Sequence, residues 1–207
     1  MLSLTRNCPH RASMTQRSEK TVPTLGFLTV VEHPQGGLFG GLLVLNLAGR
    51  PLEFHCTAPV KANRAQEILY GPTLKPYLYG EQIGGALLAK LKTPTLAVCT
   101  DSEHVLALRD QTETPVLLVQ SAVPQLVGAE ASAEASSDRL DTPQAGPASP
   151  HFGTFSLGPF EVANGTQHQA DQAALESIWQ EQSIDLDLNE PFTRIREAIE
   201  EAHAVGK

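Results

Sequence analysis

Large apolar residues in this chain come in short unbroken runs separated by breaks rich in glycine and proline. That pattern predicts buried strands joined by turns. Thr24 to His33 (TLGFLTVVEH) carries Phe27, Leu28, Val30 and Val31, apolar on successive positions, and so reads as a strand covered on both faces. After Pro34-Gln35-Gly36-Gly37, a second run spans Leu38 to Leu47. Ala48-Gly49-Arg50 marks a turn, and Pro51 to Cys56 resumes an extended pattern. Three consecutive strands with short connections make an antiparallel meander. Pro51, which lacks an amide donor, suits the third strand to a sheet edge.

The central stretch is Pro94 to Asp110 (PTLAVCTDSEHVLALRD). Leu96, Ala97 and Val98 form another run buried on both faces, and the chain then turns at Cys99-Thr100-Asp101-Ser102 into a predicted helix carrying Val105, Leu106 and Leu108. Asp101 or Ser102 is placed to cap that helix. Between meander and centre, Lys61 to Tyr70 predicts a short helix stopped by Gly71-Pro72. A second helix is capped by Thr73 and carries Leu74, Tyr77, Leu78, Leu87, Leu88 and Leu91 on one stripe. Gly84-Gly85 within it predicts a kink or a close approach to neighbouring backbone. Pro115 to Gln120 supplies one more short strand. The expected fold is therefore α/β, with a mixed sheet of about five strands: a three-strand antiparallel meander, then a β-α-β crossover, with helices at the C-terminus.

Composition divides the chain. Residues 1–23 read as a disordered arm, or as extra sequence before a start at Met14. Residues 24–125 form the α/β domain, 126–151 an acidic Ala/Ser/Pro-rich linker, and 152–207 a hairpin-like segment followed by two helices. The first of these helices spans Gln167 to Gln182. The second starts at Asn189-Glu190-Pro191 and lines up Phe192, Ile195 and Ile199 on one side. That stripe either completes the core or, left uncovered, lies in the groove of a protein partner.

Charge changes the picture for ligands. Residues 22–125 hold 7 basic and 8 acidic residues, whereas 126–207 hold 4 basic and 14 acidic. A nearly neutral domain with an acidic C-terminal part offers no domain-wide basic surface for nucleic acid. Three cysteines (Cys8, Cys56, Cys99) without paired spacing point to a reducing compartment. With no secretory or membrane-spanning run, the expectation is a cytoplasmic protein that does not engage membrane. His55-Cys56, Cys99, His104 and His33 are thiol and imidazole groups at irregular spacing. In the expected strand order Cys56 and Cys99 stand three strands apart, about 14 Å, too far for one zinc ion.

If the fourth strand pairs with the first, their C-terminal ends bring Glu32 and Asp101 to one rim. The strand end at Thr100-Asp101-Ser102, Val105 in the following helix, the glycine-rich first connection, and Glu81 20 residues before Asp101 together resemble a ribonuclease H-like domain over residues 24–120. That resemblance implies carboxylates holding two divalent cations, Mg²⁺ or Mn²⁺, about 4 Å apart, to activate water and stabilise a leaving oxygen. By position the implied set is Asp101, Glu81 and Glu32, with Asp171 as a fourth acid; Glu32 departs from the aspartate usual in that family.

Two functions of different kinds follow. The first is a non-catalytic interaction or scaffold protein without a cofactor, meeting a protein partner through Phe192, Ile195 and Ile199. The alternative is a divalent-metal-dependent nuclease-like enzyme acting on nucleic acid through Glu32, Glu81 and Asp101. The neutral domain favours the first.

Overall fold

A computed structural model describes residues 23–33, 37–120, 152–182, 184 and 186–205. The predicted arm, apart from Pro23, and the predicted linker over 126–151 lie outside the described residues. Strands β1 (Thr24–His33), β2 (Gly37–Asn46) and β3 (Pro51–Cys56) form the meander. They are followed by helix α1 (Arg64–Tyr70), a longer helical segment α2 (residues 71–88), β4 (Ala97–Thr100), the 3₁₀ helix α3 (Glu103–Gln111) and β5 (Val116–Val119). A hairpin of β6 (Phe152–Leu157) and β7 (Phe160–Gly165) then leads into helices α4 (Ala170–Gln182) and α5 (Glu190–Val205). No helix among the described residues is long and apolar enough to cross a membrane.

The strands form one mixed sheet in the order β3-β2-β1-β4-β5-β7-β6. As expected, Pro51 begins an edge strand, and β1 runs parallel to β4, pairing Leu25 with Ala97 through Leu28 with Thr100. The expectation of about five strands is corrected to seven. The β6–β7 hairpin turns at Gly158, whose φ of 59° suits glycine, and adds to the sheet by antiparallel pairing of β7 with β5.

Two core layers explain why the strand runs are apolar on successive residues. Leu25 and Phe27 of β1, Phe39, Leu43 and Leu45 of β2, and Ala97 and Cys99 of β4 face α4 and α5. Leu28, Leu42, Val98 and Val116 face α2 and α3. The Gly40-Gly41 pair lets helices close on both sides at once: a β-carbon at Gly40 would collide with Ile83 of α2, and one at Gly41 with Ile195 of α5.

Helix α2 is irregular. It opens as a 3₁₀ turn, continues through Leu74–Pro76, and widens to a π-helix over Tyr77–Gly84. Thr73 does not cap it; its hydroxyl donates to the Tyr70 carbonyl at 2.8 Å. The anticipated close approach is centred on Gly80, where a β-carbon would lie 2.9 Å from the Leu108 amide nitrogen of α3. Helix α1 has a capping box: the Gln66 amide donates to Asn63 Oδ1 at 2.8 Å, and the Asn63 amide to Gln66 Oε1 at 3.0 Å.

Candidate functional site

Asp101 follows β4 directly, level with Thr29 on the parallel neighbour β1. Its Oδ2 accepts a hydrogen bond from the Thr29 hydroxyl at 3.0 Å and is met by the Arg196 guanidinium from α5. The expected helix cap is not made. Ser102 has extended backbone and no capping side-chain bond, and its amide donates to Thr100 Oγ1 at 3.2 Å. Asp101 thus joins sheet to helix on the α5 side.

The other three acids stand elsewhere. Strand alternation puts Glu32 on the face opposite Thr29 and three residues, about 10 Å, farther along β1, beside Leu38 and Tyr79 of the α2 side. Glu81 of α2 accepts from Gln111 Nε2 at 3.0 Å. Gln111 ends α3, nine residues beyond Ser102 and so about 18 Å away at the rise of a 3₁₀ helix. Asp171, at the start of α4, takes a two-pronged contact from Arg109, 2.8 Å from Nε and 3.1 Å from Nη2. This lies at the opposite rim, because β7 runs antiparallel to β5 and leaves the sheet where β5 enters it. The bond to Asp171 holds the Arg109 guanidinium above its already high ordinary pKa, against the opposing effect of burial. At the same rim His168 Nε2 lies 3.2 Å from Asp110 Oδ1.

Among the described residues no three His, Cys, Asp or Glu side chains gather as a metal-holding group. The donor set implied by the resemblance therefore does not fit a pair of Mg²⁺ or Mn²⁺ ions: the sheet separates Asp101 from Glu32, and α3 separates it from Glu81. No step through such ions is derived. The thiols likewise stand apart. Cys56 is exposed on the edge strand β3, and Cys99 is buried in β4, where desolvation pushes its pKa up to about 12.

The C-terminal stripe has its partner within the chain. Phe192, Ile195 and Ile199 are 2%, 0% and 4% exposed. Phe192 meets the ring of Phe27 edge-on at 5.8 Å, and Ile195 sits over Gly41. The reading of these residues as a groove-seeking ligand is corrected: β1 and β2 are their groove. Gly41, in the Gly40-Gly41 pair of β2, is the sequence feature that leaves room for that seat.

A feature outside the predicted set is a cleft of about 440 Å³ at the end of β1, between the β1–β2 hairpin and α2. Glu32, Lys75 and Tyr79 line it over a floor that includes Leu38, Val60 and Leu78. Burial, then the nearby Glu32 carboxylate, raises the Tyr79 pKa. Behind Tyr79, ring contact with His104 is edge-on at 5.5 Å. Burial, assisted by Lys75, lowers the His104 pKa against the opposing pull of Glu103. This places the cleft at a carboxyl end of the sheet, where open α/β folds bind ligands. Its parts come from β1, β2, the connection over residues 60–62, α1 and α2, and no local spacing announced their meeting. Comparison of the chain with protein-family models and with curated proteins finds no match.

Proposed function

We propose that this chain is a non-catalytic interaction protein. The observation that carries the reading is the separation of the candidate acids: Asp101 is bonded to Arg196 and Thr29 on the α5 side, while Glu32 lies on the α2 side and Glu81 beyond α3. The parallel β1–β4 pair supports a ribonuclease H-like scaffold, but the acids lack the convergence that two-metal hydrolysis requires.

With the α5 stripe used in the core, the contact surface moves to α1. That helix buries none of its seven residues and leaves Ile68 67% and Leu69 81% exposed. Adjacent large aliphatic side chains on a projecting element supply the apolar anchor that protein contacts use. The test has two arms on the full chain. Wild type and Asp101→Asn are assayed for Mn²⁺-dependent cleavage of single- and double-stranded oligonucleotides, with no cleavage expected from either. Proteins co-purifying with wild type are compared with those of an Ile68→Ser/Leu69→Ser variant, and loss of a specific partner is expected. Cleavage abolished by Asp101→Asn, or a partner set unaffected by the α1 change, would overturn the reading.

A further inference from the structure

Independently of the α1 surface, we propose that the cleft at the end of β1 binds a small zwitterion with an apolar body, of the kind represented by a free amino acid with a large aliphatic or aromatic side chain. Its volume of about 440 Å³ lies within the range of small-molecule sites. Tyr79 is 8% exposed, and its hydroxyl has no hydrogen-bond partner among the described residues. Since no fully buried side-chain oxygen or nitrogen is left unpartnered there, that hydroxyl belongs to the surface Tyr79 retains, on the cleft wall. An accessible phenol hydroxyl without a protein partner among the described residues can donate to a polar ligand atom in the cleft.

The charges decide the ligand class. Glu32, Lys75, Lys61 and His33 all line the cleft; Lys61 and His33 have partners of their own, whereas Glu32 and Lys75 have no ion-pair partner among the described residues. The other acid on the wall, Glu67, is taken by Arg64 at 3.0 Å. A ligand bearing only a carboxylate would face Glu32, and one bearing only an ammonium would face Lys75. A ligand carrying both satisfies each, with its apolar part over Leu38, Leu74 and Leu78. The raised pKa of Tyr79 keeps its hydroxyl protonated and able to donate to the ligand carboxylate.

Calorimetric titration of the full chain with L-leucine and L-phenylalanine tests the site, with leucinamide and N-acetyl-leucine as single-charge analogues. Saturable binding of the zwitterions is expected, weakened about tenfold or more for each analogue, for Glu32→Gln and for Lys75→Met, and several-fold for Tyr79→Phe. Glu32 and Lys75 are exposed, so their variants keep the fold, which circular dichroism verifies. Absence of saturable binding by both amino acids would overturn the proposal. So would analogues that bind as tightly as leucine, or affinity unchanged in both charge variants.

Discussion

Ile195 of α5 occupies the space that a β-carbon on Gly41 of β2 would need. The contact seats the last helix on the sheet, and Gly41→Ala is expected to lower stability by about 1–3 kcal/mol through overpacking. Urea denaturation of the full chain measures this; a neutral substitution would show that α5 lies elsewhere.

Truncation after Gln182 should do far more. It removes Ile184, Leu188, Phe192, Ile195 and Ile199, all buried. At roughly 1.5–3 kcal/mol for each large apolar side chain, the loss of about 8–15 kcal/mol matches the whole stability of a typical domain. The truncated chain should show no cooperative thermal transition, whereas a folded truncate would separate α5 from the core.

Glu53 fastens β3 to the connection before β4, accepting the amides of Thr93 at 3.0 Å and Lys92 at 3.1 Å. Partial burial pushes its carboxyl up, but these bonds, with the Thr93 hydroxyl and His55, outweigh it and hold the pKa below the ordinary 4.5. A group whose pKa is lowered by folding adds stability that is complete above its unfolded pKa and lost as pH falls through its folded one. The stability gap between wild type and Glu53→Gln should therefore be constant from pH 7 to about pH 5 and narrow below that. Denaturation at stepped pH checks the sign, and a gap widening on acidification would contradict it.

Cys56 and Cys99 should differ sharply toward a thiol reagent. Cys56 is exposed, while Cys99 is 0% exposed with a pKa pushed up to about 12, so it holds almost no thiolate at neutral pH. Mass-spectrometric mapping after alkylation should find Cys56 modified in the folded protein and Cys99 only in denaturant. Comparable labelling of both would place β4 nearer the surface.

The parts legible in the sequence were those set by local pattern. Successive apolar residues in Thr24–His33 and at Leu96–Val98 marked strands covered on both faces, and Pro51 marked the edge. What escaped depends on distant pairing. The hairpin-like segment that begins at Phe152 was legible, but not that β7 would join β5 and bring the sheet to seven strands. The spacing of Phe192, Ile195 and Ile199 showed an apolar stripe but not its receptor, formed by β1 and β2 some 150 residues earlier. For the acids, alternation along β1 separated Glu32 from the face of Thr29. The bond that redirects Asp101 comes from Arg196, a residue no local reading connects to it.

The most direct test is thermal unfolding of wild type and Asp101→Asn, each with and without millimolar Mn²⁺. If Asp101 ties β4 to β1 and α5, the variant should lose about 1 kcal/mol, or about 2–4 °C, and Mn²⁺ should raise the midpoint of neither protein. A midpoint raised by Mn²⁺ in the wild type but not in Asp101→Asn would make Asp101 a metal ligand and contradict the account.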